Sequence, residues 1–349
     1  MFYRGINQNY LYNPDSGDDL KNLLKELSFK PVAHSVEYKM GSQLKLLLTF
    51  TDGGQGLFKP MRFSRQLESS SESFFFEDIE RHTAEIAAFH VDRVLGLHRS
   101  PPVAGRWLNV TSDVLKAGDS DVSRRVFQSP EGNMCFSGTC QRFCQGQFAA
   151  CGRPVLLEGS VSAFLPYNTA SRRKREKHPF RRSYVKHVKW EMKEEFCEAD
   201  LKTREVYKGG RKLLDLMDMA IFDFIIGNLD RHHYERFEEF GEKGFVLYYD
   251  HGRGFAQWQH DCAACKTPIK QCCLIRLTTL AKLVKLYQGP DSLSHVMRTS
   301  MRSDPLSPIL GETHLDALDR RVGVLLRLVA GCVERAGNFH TVIVDDRHR

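Results

Sequence analysis

The 349-residue sequence has no apolar run approaching the roughly 18 residues that are needed to cross a bilayer. Its first residues, Met1 to Gly5, also lack the apolar stretch of a secretory signal peptide. Taken alone, these two absences favour a cytosolic protein. The excess of charge of one sign is also small, with 50 Lys and Arg against 43 Asp and Glu. This excess is too weak to indicate nucleic-acid binding, and we expect no nucleic-acid partner.

The cysteines contradict a cytosolic location. There are ten, and four of them lie between Cys135 and Cys151 with the spacing C-x4-C-x3-C-x6-C. This spacing lacks the paired C-x2-C knuckles of many zinc sites, and adjacent Cys272 and Cys273 suit two long-range bridges better than one metal. Disulfides are therefore favoured over the zinc alternative, which implies an oxidising compartment and an export signal outside this sequence. The triplet beginning at Asn109 is a glycosylation acceptor, although such triplets are common by chance.

Strand patterns gather early in the chain and helical patterns late. We predict a strand over Gln43–Phe50 and a second that ends at Lys59, joined by a glycine-containing turn. Helical periodicity predicts α-helices over Asp78–Leu95 and Lys212–Ile226, with another amphipathic helix near the end. The apolar segment Phe245–Tyr249 is predicted to be a short buried strand.

This order of elements predicts a two-lobed α+β architecture. A strand-rich N-lobe, with an N-terminal segment and a cysteine-rich insertion, is predicted over residues 1–161. A helical C-lobe is predicted over residues 162–349, and the boundary is expected near Ser162 to Pro166.

Two stretches carry residues that suit phosphoryl transfer, which needs a lysine for the phosphates, acids for a divalent metal and an aspartate for the acceptor hydroxyl. Lys59 ends a predicted strand and Glu80 follows at the predicted start of a helix, the order found in kinases. On its own, this pair is better explained as solvated surface. The stronger pattern is Asp230 in a loop after a buried helix, then the apolar segment Phe245–Tyr249, then Asp250-His251-Gly252.

Two departures argue against an ordinary protein kinase. The chain has no His-Arg-Asp triplet, and the glycines of Asp52-Gly53-Gly54-Gln55-Gly56 do not have the spacing of a G-x-G-x-x-G loop. His232 and His233 are interpreted as structural residues and not as a metal site. Adjacent residues point in different directions on regular elements, so both rarely reach one ion.

Several longer motifs are specific enough to indicate a family. They are Phe58-Lys59-Pro60, Glu80 to His90, Glu158-Gly159-Ser160, Met217 to Phe224 and Gln271-Cys272-Cys273. In these motifs the sequence resembles the metazoan secretory-pathway kinases: the Golgi casein kinase, its pseudokinase partner and the glycosaminoglycan xylosylkinase. The resemblance runs from about Gln43 to the end of the chain.

The resemblance implies a divergent two-lobed kinase-like fold that is stabilised by disulfides and uses ATP with Mn²⁺ or Mg²⁺. It implies that Asp230 is catalytic and faces the acceptor hydroxyl, and that Glu80 and Asp250 hold the metal. Glu85 is a second helix acid, with a role in the lysine network. The implied nucleotide contacts are Gln43, Lys59, Ser162, Ala163, Phe164, Leu165, Glu235 and Asp250.

The resemblance also implies four disulfides, which are Cys135–Cys151, Cys140–Cys144, Cys197–Cys272 and Cys273–Cys332. Cys262 and Cys265 are then left over as one more local pair.

The resemblance further implies a location in the Golgi lumen or outside the cell. Membrane attachment is expected only through an N-terminal signal or anchor outside this sequence. The expected assembly is a homo- or heterodimer with a family member.

Three activities remain open at this point. The stretch Phe74 to His90 is closer to the casein kinase, which favours phosphorylation of serine in acidic Ser-x-Glu sites of secreted proteins. Asp304 to Leu310 is closer to the xylosylkinase, whose acceptor is xylose in the proteoglycan linker. The third activity is that of a pseudokinase partner. It is disfavoured because Glu80, Asp230 and Asp250 are all acidic.

The segment from Arg172 to Lys189 is rich in basic residues. It is interpreted either as a solvated basic loop or as a docking surface for anionic substrates, which include acidic protein sites and sulfated glycans. Both leading substrates are anionic, so the segment does not separate them.

Overall fold

The computed structural model describes residues 5–69, 79–165, 172–181, 187–208 and 211–347. Its helices and strands are α1 (Gly17–Phe29), β1 (Val32–Glu37), β2 (Leu46–Phe50), β3 (Gln55–Pro60), α2 (His82–Leu95), β4 (Val103–Asn109), α3 (Ser120–Ser123), β5 (Val126–Gln128), β6 (Met134–Phe136), β7 (Ala150–Cys151), β8 (Leu156–Ala163), β9 (Arg173–Lys177), α4 (Lys189–Met192), α5 (Lys212–Ile226), β10 (His233–Phe237), α6 (Ala263–Cys272), β11 (Ile275–Arg276), α7 (Leu277–Gln288), α8 (Leu293–Met301), α9 (Glu312–Ala336), α10 (Phe339–Val342) and β12 (Ile343–Val344).

A five-stranded antiparallel sheet organises the first half of the chain, with the strand order β1-β2-β3-β8-β4. β2 alternates buried and partly exposed residues, as a strand with one face on a core does. The predicted hairpin is confirmed: β2 and β3 pair, and Gly53 supplies a positive φ of 81° in the turn. The first strand starts at Leu46, later than the predicted Gln43.

Two of the predicted helices hold the core of the second half together. α5 has the predicted bounds, and all of its residues are buried, so it is a central helix and not a surface helix. α2 ends before Gly96, as predicted, but it begins at His82 and not at Asp78, which lies outside the described residues. Glu80 therefore precedes the helix. Its side chain is therefore not held in the direction that an α-helix imposes on its side chains.

The predicted strand over Phe245–Tyr249 is wrong. The segment is buried as expected, but only Leu247 forms a single bridge, to Glu235. Its other backbone groups bond elsewhere: the Val246 N–H donates to the Asp215 carboxylate and the Tyr248 N–H to the Arg99 carbonyl. Burial demands that these groups be satisfied, and here separate partners replace a β-ladder.

All ten cysteines pair. Four bridges are the pairs that the resemblance implies, and Cys262–Cys265 is the fifth, so the zinc alternative is wrong. The predicted use of Cys272 and Cys273 in two separate long-range bridges is confirmed. Within the described residues, no helix combines the length and apolarity that a membrane crossing requires.

Asn109 is the last residue of β4, and its side-chain oxygen accepts hydrogen bonds from the backbone N–H groups of Thr111 and Ser112. It thereby caps the helical turn that follows. Its glycosylation stays a prediction.

Among the residues that the structure describes, Arg321 of α9 is the largest side chain that is fully buried. Its guanidinium donates to the carbonyl oxygens of Ile225 at 3.0 Å, Gln257 at 2.9 Å and His260 at 2.9 Å, and it lies 3.2 Å from the Asp261 carboxylate. One side chain therefore joins the end of α5 to the segment that leads into α6.

Candidate active site

Lys59, on β3, is the centre of a cluster of carboxylates. Its Nζ atom forms an ion pair with Glu85 on α2, lies 2.9 Å from Asp250 Oδ1 and lies 3.8 Å from Glu80 Oε2. The Lys59 side chain is 14% exposed and that of Asp250 is 43% exposed, so the cluster is sheltered but open to a ligand on the Asp250 side. The structure brings together four acidic and basic residues predicted from the sequence. The preference for reading Lys59 and Glu80 as solvated surface was wrong.

The charges of this cluster depend on one another. Burial opposes the charge of Lys59, but the carboxylates of Asp250, Glu85 and Glu80 outweigh burial and raise its pKa well above the ordinary value. The Lys59 ammonium in turn holds the pKa of Asp250 well below its usual range. Burial raises the pKa of Glu80, although Lys59 acts against this shift. The cluster contains three carboxylates and one ammonium that contacts them. Its net negative charge favours the binding of a further cation.

The backbone of the Asp-x-Gly turn fixes the position of the carboxylates. Asp250 has a positive φ of 62°, a conformation that aspartate adopts more readily than most residues. The N–H of His251 donates to Glu85 Oε1 at 3.0 Å, and the Arg81 N–H donates to the Gly252 carbonyl at 2.7 Å. A Cβ atom on Gly252 would lie 3.0 Å from Glu80 Oε2 and 3.1 Å from Glu80 Cβ, so glycine allows this close approach.

Asp230 lies in the loop after α5, close to positive and polar groups. Its carboxylate is 3.3 Å from Arg253 Nε and 3.5 Å from His232 Nδ1. Its backbone N–H donates to Asn228 Oδ1 at 3.1 Å, and the bond to Asp230 raises the pKa of His232. Arg231 points the other way, into the interior, where it pairs with Asp223 at 2.8 Å and binds the Tyr249 carbonyl. The loop is thereby anchored to the chain immediately before Asp250.

The residues predicted to contact a nucleotide form two groups. Gln43 lines one small cleft with Lys59 and Glu80 and is hydrogen-bonded to Arg62. Ser162 and Ala163 end β8, followed by Phe164 and Leu165.

Arg173 joins this segment to Glu235. It donates to the Leu165 carbonyl at 3.2 Å and pairs with Glu235 at 2.8 Å. The Phe164 ring packs edge-on against Tyr38. The predicted nucleotide contacts at the end of β8 and Glu235 are thus held together by one arginine.

Sequence reasoning missed several residues that support the site. They include a tyrosine and four arginines: Tyr38, Arg62, Arg173, Arg231 and Arg253. One signal was available for Arg231, because Asp223 lies in the largely apolar second half of α5 and a buried acid requires a partner. The described residues contain no cluster of three His, Cys, Asp or Glu side chains suited to a metal, and His232 contacts His233 and Asp230 instead.

A search of solved structures finds the same fold. A crystal structure of the Golgi casein kinase with Mn and ADP bound covers 100% of this chain and 84% of its own, with a TM-score of 0.94 and 37% sequence identity. The fold and the site therefore define a kinase-like protein, with a strand-rich half and a helical half stabilised by five disulfides.

The family follows from residues 1–341, which match the model "Golgi casein kinase, C-terminal, Fam20". The chain belongs to the Fam20 family. It is 44% identical over 348 residues to the human extracellular serine/threonine protein kinase FAM20C, covering 99% of this chain and 59% of that protein. It therefore spans about three fifths of that relative's length.

Two further human relatives differ in their named activities. The chain is 42% identical to pseudokinase FAM20A, covering 99% of this chain and 67% of that protein. It is 36% identical to glycosaminoglycan xylosylkinase, covering 96% of this chain and 80% of that protein.

Proposed function

We propose that this chain is an ATP-dependent kinase that phosphorylates serine in acidic Ser-x-Glu sites of secreted proteins, in the Golgi lumen or outside the cell. The observation that carries the proposal is the meeting of Lys59, Glu80, Glu85 and Asp250 at one point, with Asp230 in the neighbouring anchored loop. The resemblance to FAM20C supports the protein acceptor. We also propose that the N-lobe ends at residue 161 and the C-lobe begins at residue 162. Strand β8 crosses this boundary and ends at Ala163.

The carboxylate pair fits a hard divalent cation. Mn²⁺ and Mg²⁺ prefer oxygen ligands and use one or two carboxylates together with substrate phosphates. Glu80 and Asp250 lie 3.8 Å and 2.9 Å from the Lys59 ammonium, which supports their role beside a cationic charge. When bound there, the metal would neutralise charge on the phosphates of ATP.

The other residues then divide the work of binding and orientation. Lys59 would contact the phosphates, while Glu85 holds its ammonium in place through their ion pair. Gln43, the segment Ser162 to Leu165 and Glu235 would contact the nucleotide, supported by Arg173.

Asp230 would orient the serine hydroxyl and accept its proton as transfer proceeds. Arg253 and His232 lie close enough to hold its carboxylate in position.

Xylose phosphorylation is the second candidate, favoured by the 36% identity to the human xylosylkinase. A pseudokinase role is disfavoured because the metal and acceptor positions all retain acids, Glu80, Asp230 and Asp250.

The deciding experiment measures radiolabelled ATP transfer with manganese, side by side, onto an acidic casein-type peptide and a galactose–xylose acceptor. The proposal expects labelled serine on the peptide. Transfer to the sugar alone would select the xylosylkinase, and transfer to neither, by a folded protein, would contradict both activities.

A further inference from the structure

The β9–β10 ribbon has two chemically different faces. Its antiparallel register places Lys177 opposite His233 and Arg175 opposite Glu235, and residues directly opposite each other share a face. On this face Lys177 and Arg175 are exposed, and His233 and Glu235 are half-buried. The other face is anchored to the interior by hydrogen bonds of Glu176 to Lys212, Tyr234 and Arg236.

The exposed face adjoins both aspartates of the proposed site. The ring centroids of His233 and Tyr249 are 5.7 Å apart, and Tyr249 directly precedes Asp250. The ring centroids of His233 and His232 are 4.2 Å apart, and His232 Nδ1 lies 2.8 Å from the Asp230 carbonyl oxygen. The end of β9 meets the same loop, because the N–H of the next residue, His178, donates to the His232 carbonyl at 3.0 Å.

Two cations on this face have no acidic partner in the described part of the chain. Lys177 and Arg175 are exposed, and neither forms an ion pair with a residue that the structure describes. The nearest acid on the face, Glu235, is already paired with Arg173. Arg175 contacts the ring of His233 at 3.0 Å, and burial together with His232 and Arg175 lowers the pKa of His233 to about 3, so this histidine is neutral.

We propose that Lys177 and Arg175 bind the glutamate of the Ser-x-Glu acceptor, and that they set the preference of the enzyme for an acidic residue two positions after serine. In an extended peptide that residue lies about 7 Å beyond the serine. With serine at Asp230, a peptide running along the exposed face brings its carboxylate to the end of β9. This inference rests on the proposed protein-kinase function and assigns its specificity to two residues.

The basic segment as a whole does not separate an acidic peptide from a sulfated glycan, but these two cations suit a carboxylate. The hydroxyls of an unsulfated xylose or galactose are neutral and gain little from a lysine and an arginine. A carboxylate supplies the missing partner for both cations through charge-assisted hydrogen bonds.

The test uses two peptides that differ only in Ser-x-Glu against Ser-x-Gln, and it measures kcat/KM for each with the full chain, ATP and manganese. Wild type should prefer the glutamate peptide by about tenfold or more. Lys177→Ala and Arg175→Ala should each remove most of this preference by raising KM for the glutamate peptide, with kcat on the glutamine peptide unchanged. Lys177→Glu should prefer a Ser-x-Lys peptide.

Lys174→Ala is the matched control, because Lys174 is an exposed cation of the same strand that shares the opposite face with Arg236. It should keep the wild-type preference. An unchanged preference in the Lys177 and Arg175 variants would overturn the inference, as would a raised KM for ATP with the peptide preference intact. If wild type transfers phosphate to neither peptide, the proposed function itself fails.

Discussion

The ammonium of Lys59 lies 2.9 Å from Asp250 Oδ1, although the two residues are 191 positions apart in the sequence. Lys59 belongs to the sheet, and Asp250 follows the central helix α5 in the helical half. The contact therefore joins the two halves at the point where charge is most concentrated. Separate substitutions can test what each residue contributes there.

Asp230 and Asp250 should have separable roles. Asp250→Ala should weaken both ATP–manganese binding and turnover, because it removes a carboxylate from the Lys59 cluster. Asp230→Ala should leave binding nearly intact and slow transfer by ~10²–10⁴, the usual contribution of a positioned acid–base group. Calorimetry paired with turnover measures both effects. Equal loss of ATP binding in two folded variants would contradict this division.

Glu80→Gln should weaken manganese-dependent turnover by ~10² or more while preserving the fold, since it removes a charge with little change in shape. Titration of manganese at saturating ATP measures the effect. Glu85→Gln is the comparison, because Glu85 contacts Lys59 and the His251 N–H. It should impair turnover with a smaller change in manganese dependence. Wild-type activity of Glu80→Gln at limiting manganese would exclude the metal role.

Gly252→Ala should reduce activity and stability together. The added Cβ would lie 3.0 Å from Glu80 Oε2, so either Glu80 or the turn must move. We expect a loss of about 1–3 kcal/mol in the free energy of unfolding, measured in urea, and weaker manganese binding. Gly17→Ala is the control, because no atom lies within 4 Å of its added Cβ. Unchanged manganese binding by Gly252→Ala would show that the close approach is not required.

Buried histidines should make the fold less stable in acid. Burial, with a contribution from Arg93, lowers the pKa of His90 to about 3, and burial with Arg231 does the same for His178. Between the ordinary pKa of about 6.5 and this value, the unfolded chain binds protons that the folded chain does not. Stability is therefore lost as pH falls from about 6.5 towards 3, by up to about 1.4 kcal/mol per pH unit for each histidine.

Urea unfolding between pH 7 and 4.5 measures this slope. His90→Gln should reduce the slope of unfolding free energy against pH by the equivalent of about one bound proton, and His178→Gln should do the same. Identical slopes in wild type and both variants would show that neither histidine contributes.

The elements that sequence predicted best are those whose signals are local. α5 was predicted with its observed bounds because its apolar periodicity is continuous and Gly227 ends it in the left-handed conformation. Phe245–Tyr249 was misassigned because an apolar run reports burial and not the partner of each backbone group. In this segment a side-chain carboxylate and a distant carbonyl accept the hydrogen bonds.

Part of the site could be predicted because its signals are also local. Acidic residues in recognisable motifs pointed to Glu80 and Asp250. Their arrangement around Lys59 depends on contacts between distant segments, which no local pattern contains. The supporting arginines were missed because an arginine that stabilises a loop and one that faces solvent look alike in sequence. Arg173 lies within a basic run, yet it bonds both Leu165 and Glu235.

The hydrogen bonds of Arg321 constrain the order in which the fold can be completed during synthesis. Ribosomes deliver the chain from its N-terminus, and α9 follows every residue of the proposed site in the sequence. A nascent chain that already carries Lys59, Asp230 and Asp250 still lacks the guanidinium that joins Ile225 to Gln257. The packing of the end of α5 against the segment that leads into α6 can therefore be completed only after translation has passed α9.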